Sequence, residues 1–312
     1  MPALRAIPCQ CLPLVKMVPV CCSLRRETLF RAKNLGSKFG RTASAVLEGP
    51  SEKLRICGVL LGDSAVWKKE ASMSERFLRN EMLLGPEALE KLRSSHVCVV
   101  GLGGVGSWAV ECLARSGVGE LTLIDQDAYS ESNINRQLGA LTSTIDIPKP
   151  EALAARVRDI NPDCVVHPII GKYDREDNER FWGDYDYLID CIDLVACKID
   201  LILQAQARDI PIISALGTGN KLDFRKIEVT DLSKTYGCPL ARVMRRELGR
   251  RGVKHLKVVY SPEEPAPCAQ LEAPPPGRRS VPGSVPWVPP VAGLMMGGAA
   301  VMDLIGGLLP EK

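Results

Sequence analysis

Residues 99–127, "VVGLGGVGSWAVECLARSGVGELTLIDQD", decide the fold. A short apolar run leads into Gly101-Leu102-Gly103-Gly104-Val105-Gly106. A helix-like stretch follows, and a second apolar run closes on Asp125 and Asp127. Strand, glycine turn and helix in this order make a grip for phosphate. The glycines let phosphate oxygens approach backbone N–H groups, and the helix amino end adds its positive dipole. Asp125 ends the next strand, where a carboxylate accepts hydrogen bonds from ribose hydroxyls. The same layout binds dinucleotides, so the stretch alone leaves an NAD-dependent dehydrogenase open.

Working outward, apolar runs alternate with helical stretches. Helices are expected over 86–93, 104–116, 149–160, 195–208 and 239–250, and strands over 97–100, 121–124, 164–170, 187–189 and 210–214. An added strand is expected over 226–229. Continuous apolar strands alternating with helices predict an α/β fold with a doubly wound, mostly parallel, Rossmann-like sheet. Residues 261–290 are proline-rich and read as a partly mobile crossover arm before a C-terminal helix. That last segment, 291–310, is apolar enough to be weighed as a membrane span. Asp303 and its glycines favour a buried or dimer-interface helix instead, so no stable membrane insertion is expected.

The residues after the grip speak against hydride transfer. "DQDAYSESNINRQ" at 125–137 is followed by Lys149, and "DCID" at 190–193 closes a strand. Ligands of open parallel sheets sit at the carboxyl edge, so Asp125, Asp127, Asn133, Arg136, Lys149, Asp190 and Asp193 are expected in one crevice. Cations beside carboxylates suit a Mg²⁺–triphosphate under attack.

Gly101, Gly103, Gly104 and Gly106 with "SNINRQ" at 132–137, Lys149, "DCID" and "RFLRN" at 76–80 resemble the ThiF/MoeB/HesA superfamily, over about residues 73 to 310. Its members adenylate carboxylates with ATP. The resemblance implies that Asp125 holds ribose and that Asn133, Arg136 and Lys149 contact the triphosphate. It also implies that Asp193 is the Mg²⁺-linked carboxylate. Arg79 is implied to reach into the partner subunit's site, which requires a homodimer. "DINP" at 159–162, "VTDLSKTYGCPLARVMRREL" at 229–248 and "SVPGSVPWVPPVAG" at 280–293 look like the branch that dehydrates threonylcarbamoyladenosine in tRNA. That branch implies an ATP-dependent ring closure beside the anticodon. Two other functions remain open: an activating enzyme for a sulfur-carrier protein, and a catalytically idle nucleotide-binding scaffold. A sulfur-transfer protein is a further candidate partner.

Composition bounds these readings. The chain has 312 residues, 46% hydrophobic, and a net charge of +3, too small to demand nucleic acid or to exclude it. Arg242, Arg245, Arg246, Arg250, Arg251, Lys254 and Lys257 lie on or after one helix and form the expected tRNA-phosphate ridge, with Arg278 and Arg279 as candidates to join it. The 12 cysteines include no CxxC pair, so no zinc is expected. Cys98, Cys112, Cys164, Cys191 and Cys197 read as buried, reduced thiols of a cytoplasmic protein. Neither Cys191 nor Cys238 is expected to form a thioester. Residues 1–72 form a basic extension: over 1–47, eight Lys and Arg face Glu27 alone. The extension reads as a disordered segment or an untranslated leader taken in from a mis-assigned upstream start, or as a transit peptide, with the enzyme unit over 73–312.

Overall fold

A computed structural model describes residues 45–46, 55–56, 75–176, 178–271, 273–274 and 280–309. The readings of 1–72 as an extension and of Arg278 and Arg279 as tRNA contacts lie outside these residues, apart from one short pair. In that pair β1 (Ala45–Val46) runs antiparallel to β2 (Arg55–Ile56). The chain divides into two units, 1–69 and 70–312, and the remaining elements belong to the second.

That unit is built on a seven-stranded sheet in the order β5-β4-β3-β6-β7-β9-β8. Its strands are β3 (His96–Val100), β4 (Glu120–Asp125), β5 (Val165–Ile170), β6 (Tyr187–Asp190), β7 (Ile212–Ala215), β8 (Glu228–Asp231) and β9 (Lys257–Tyr260). All neighbours pair parallel except β8 with β9. Pro168 is tolerated in β5 because that strand is an edge, where a missing N–H leaves no ladder bond unmade.

The helices are α1 (Leu78–Leu84), α2 (Pro86–Arg93), α3 (Gly106–Ser116), α4 (Lys149–Ile160), α5 (Val195–Ala207), α6 (Pro239–Gly249) and α7 (Val288–Ile305). Both faces of the central strands are covered, which is why those strands read as continuous apolar runs, whereas the edge strands β5 and β8 are largely exposed. Val97 and Val99 of β3 join the core under α2, α3, α4 and α7, whereas Cys98 and Val100 face a second cluster with Leu201 of α5. Proline opens α2 in the first turn, where its missing N–H costs nothing.

The expected elements are present with ends shifted by at most two residues, except the C-terminal helix, which runs over 288–305 rather than 291–310, and β9 was marked by no sequence signal. It inserts between β7 and β8 and so places the added strand one position further out. The C-terminal helix is long and apolar enough to cross a membrane, yet more than half of it is buried in the protein's own core. A Cβ on Gly293 would stand 2.2 Å from the Val105 carbonyl oxygen, so glycine is what lets α7 lie against α3.

Candidate functional site

The strand order reverses between β3 and β6, because β4 and β5 extend one way and β6 and β7 the other. A crevice is therefore forced open at the carboxyl ends of β3 and β6, the usual ligand position in such sheets. It is a cleft of about 790 Å³ lined by the loop after β3, the end of β4, the start of α4 and the loop after β6.

The glycine turn is held by its own geometry. Gly101 has φ +88°, and a Cβ there would press on the Cys191 carbonyl oxygen at 2.6 Å. At Gly106 a Cβ would stand 1.8 Å from the Gly101 carbonyl oxygen, so neither position admits a side chain. Gly103 differs: its nearest neighbour would be Gln137 Nε2 at 3.9 Å, so protein packing does not demand glycine there. Among the described residues, none accepts from the N–H groups of Gly103, Gly104 or Val105. These are the unpaired donors of a helix amino end, and an anion satisfies them.

Asp125 is half committed to the scaffold. Its Oδ2 accepts from the Leu102 N–H at 2.6 Å and its Oδ1 from the Asp127 N–H at 2.9 Å. A carboxylate has about four acceptor positions, so two stay open for a ribose. Lys149, the first residue of α4, is 7% exposed at its side chain. Its Nζ lies 3.0 Å from Asp127 Oδ2 and 4.0 Å from Asp125 Oδ1. The Asn133 side chain accepts from the Ser130 N–H at 3.2 Å and caps the turn 131–133. The Arg136 Nη1 donates to the Ser132 carbonyl and to Asn135 Oδ1, both at 2.8 Å, which braces the guanidinium on the cleft wall. Asp193 also lines the cleft.

Two expectations need correction. Asp190 does not reach the cleft. It is fully buried, with Oδ2 accepting from Lys198 Nζ at 2.7 Å and from Ser214 Oγ at 2.6 Å. A buried carboxylate must be paired, and the partner was hidden on α5. Lys257 leaves the basic ridge, because its Nζ pairs with Asp303 of α7. Arg245 also turns inward onto Thr235. Arg242, Arg246, Arg250, Arg251 and Lys254 are exposed, with Arg246, Arg250 and Arg251 gathered around Glu247. Arg79 sits exposed on α1 and does not line this chain's cleft.

Sequence reasoning missed the loop residues. Lys172, Tyr173, Thr218 and Ser284 all line the cleft. The last belongs to the proline-rich arm, whose end is tied down where Gly283 N–H donates to Asn220 Oδ1 at 2.6 Å. Every cysteine among the described residues is a free thiol. Burial pushes the Cys98 and Cys164 thiols up to about 12. Cys112 and Cys191 are only partly buried, but desolvation raises both. Cys238 is buried where α6 begins.

With this geometry in hand, the likenesses to known proteins become informative. The model of the ThiF family matches residues 77–306. A tRNA threonylcarbamoyladenosine dehydratase of Bacillus subtilis is 43% identical over 244 residues, covering 75% of this chain and 96% of that relative. The crystal structure of E. coli tRNA N6-threonylcarbamoyladenosine dehydratase, TcdA, in complex with ATP superposes with a TM-score of 0.66. It is 34% identical and covers 74% of this chain and 94% of that one. A molybdopterin-synthase adenylyltransferase of Haemophilus influenzae is 37% identical, but over only 40% of this chain and 51% of its own length. Sheet order, glycine turn and sequence agree, and the chain belongs to the ThiF family.

Proposed function

We propose that this chain is an ATP-dependent tRNA threonylcarbamoyladenosine dehydratase. One observation carries the reading. The relative bearing that activity matches along 96% of its length, and the family match, residues 77–306, spans every residue that lines the cleft. The molybdopterin-synthase adenylyltransferases are less similar, at 37% and 32% identity over 51% and 64% of their own lengths, which disfavours a sulfur-carrier activator.

The chemistry follows from the substrate's weakness. A carboxylate is a poor acyl donor because its leaving group would be oxide. In the first step a threonine carboxylate oxygen attacks the α-phosphorus of ATP. The bond between the α- and β-phosphates breaks, and pyrophosphate departs. Negative charge spreads over the phosphoryl oxygens, and fixed cations are worth most there because they need no reorganisation. Lys149 and Arg136 supply them from this chain, and Arg79 of the partner subunit supplies a third in the homodimer. In the second step a nucleophile of the same modified base attacks the activated carbonyl carbon and AMP leaves. The net change is loss of one water from the tRNA, and no enzyme thiol is consumed. The raised thiol of Cys191 suits that economy, because a thiol is a poor nucleophile until it ionises.

The donor set suits Mg²⁺, which takes one or two carboxylates and fills its shell with phosphate oxygens. Asp193 and Asp127 bring such oxygens to the cleft. When bound there, the ion would neutralise phosphate charge. Asp125 and Asn133 hold the nucleoside and the first phosphates in place beneath the glycine turn. The arginine face of α6 meets tRNA phosphates. The enzyme unit is residues 73–312, working in the cytoplasm.

The test is direct. Purified protein is incubated with ATP, Mg²⁺ and threonylcarbamoyl-modified tRNA, and the digested nucleosides are weighed. Loss of one water from the modified adenosine supports the proposal. Pyrophosphate exchange only in the presence of a sulfur-carrier protein transfers the assignment to the activating-enzyme reading. Neither outcome leaves a nucleotide-binding scaffold.

A further inference from the structure

The sequence has three histidines, and two of them meet one glutamate at the sheet edge opposite the cleft. His96 opens β3 and pairs in register with Glu120 of β4, while His167 of β5 pairs with Thr122 of β4. Glu120 and Thr122 are two residues apart on one strand, so their side chains share a face. His167 Nε2 lies 2.8 Å from Glu120 Oε1, and His96 Nδ1 lies 3.5 Å from the same oxygen. One donor atom from each of His96, Glu120 and His167 lies within 4.8 Å of the other two. Donors around a tetrahedral zinc ion stand about 3.3 Å apart, so the set closes on an ion with small side-chain shifts.

The surroundings also fit. His96 Nε2 lies 2.9 Å from the hydroxyl of Thr122, a residue only 3% exposed. In the tautomer whose Nε2–H donates to that hydroxyl, Nδ1 is left to bind an ion on the side of Glu120. Fixing a ring's tautomer through its other nitrogen is how metal-binding histidines are oriented. The Tyr185 ring stands edge-on to His96 at 4.9 Å and limits its rotation. His167 and Glu120 are part exposed, at 47% and 39% of their side chains, so the site has a solvent entry and room for a fourth, non-protein ligand.

The geometry points to a binding site for one divalent transition-metal ion, Zn²⁺ by its donors, held by His96, Glu120 and His167 and clipping β3, β4 and β5 together. Two nitrogens and one carboxylate oxygen form a borderline set that suits zinc. The expectation that zinc is absent rests on cysteine spacing, which says nothing about histidine and glutamate donors. The clip is independent of the nucleotide cleft.

The test uses the full chain, stripped of metal with a chelator and titrated with Zn²⁺ against a chromophoric competitor, and separately with Co²⁺. His167→Ala and Glu120→Gln are the variants, because both side chains reach solvent and neither fills the core. One Zn²⁺ should bind per chain and raise the melting temperature. Each variant should weaken binding by roughly 100-fold and abolish the added stability, while melting as the wild type does without metal. The first equivalent of Co²⁺ should give visible d–d bands without the thiolate-to-cobalt band that a cysteine site produces. The proposal is overturned by binding of equal strength in both variants, by a thiolate band at the first equivalent, or by no stoichiometric binding.

Discussion

The Nζ of Lys149 lies between two carboxylates, 3.0 Å from Asp127 and 4.0 Å from Asp125. The ammonium thus stands where the second strand of the nucleotide grip ends, on the first residue of a helix whose start is fixed by the chain's own backbone. The Lys149 N–H donates to the Asp127 carbonyl at 2.9 Å, which sets the side chain's origin before any ligand arrives. Lys149→Met keeps the length and deletes the charge. Adenylation, read as pyrophosphate released per enzyme in a single turnover, should fall by roughly 10² to 10³. A melting temperature within a few degrees of wild type separates this from unfolding. Unchanged turnover would remove Lys149 from the mechanism.

The glycine turn predicts a contrast between two substitutions of equal size. Gly106→Ala places a methyl 1.8 Å from a backbone carbonyl oxygen, whereas Gly103→Ala meets nothing closer than 3.9 Å. The first should destabilise the protein by about 2 kcal/mol or more, read by urea unfolding, because backbone must move. The second should fold normally and lose ATP affinity, read by titration calorimetry, because its methyl occupies the space a phosphate needs. Equal unfolding midpoints for both variants would contradict this account of the turn.

Much of this could be read from the sequence, and the exceptions are physical. The unit β3–α3–β4 announces itself because both strands are buried on two faces and the glycines sit where no side chain fits. β9, Lys257–Tyr260, escaped notice although β6 and β8 are equally short, because its first residue was read with the basic stretch that follows α6. Asp190 and Asp193 look equivalent in "DCID", yet one ends a strand inside the sheet and the other leaves it. The difference is made by Lys198, which reaches Asp190 from α5 and carries no sequence mark of a pair. Lys172, Thr218 and Ser284 come from loops, whose path over the cleft depends on tertiary contacts such as Asn220 with Gly283.

Glu111 gives a pH prediction. Its side chain, on α3, receives Arg156 of α4 through two bonds of 2.7 and 2.9 Å and Arg115 through one of 2.7 Å. Burial raises the carboxyl, but the hydrogen bonds from Arg156 and Arg115 outweigh it and leave it below its ordinary 4.5. A depressed folded value means the unfolded state takes up protons first. The stabilisation is therefore complete above the ordinary carboxylate range and is lost as pH falls through the lower folded value. Glu111→Gln should be less stable than wild type at pH 7 by about 1–3 kcal/mol. The difference should shrink below about pH 4.5, measured by chemical denaturation at several pH values. A gap undiminished at pH 3 would show that shape, not charge, holds the two helices.

The α6 face is testable through salt. Arg242 and Lys254 are exposed and lie outside the group of arginines around Glu247. Arg242→Glu with Lys254→Glu should weaken tRNA binding at least tenfold at moderate salt. Removing about two phosphate contacts should also lower the slope of log K against log salt by about two. ATP affinity should not change. Equal tRNA binding at fixed salt would place the nucleic-acid surface elsewhere.

Lys198 is fully buried beside Asp190, and Ser214 completes the group. Removing one partner of such a pair leaves a charge in a place that cannot solvate it, at a cost of about 3–5 kcal/mol. Lys198→Met should therefore unfold at markedly lower urea concentration. Replacing both partners, Lys198→Met with Asp190→Asn, should recover part of the loss, because an amide can still accept from Ser214 and donates to no stranded charge. Asp190 also receives the Ile192 N–H at 3.0 Å, so it shapes the loop that carries Asp193 into the cleft. The double variant should consequently fold but respond to Mg²⁺ less steeply in pyrophosphate release, because the loop with Asp193 is no longer pinned by a charged acceptor. If the single variant is as stable as wild type, the group contributes no net energy and its role in holding that loop falls with it.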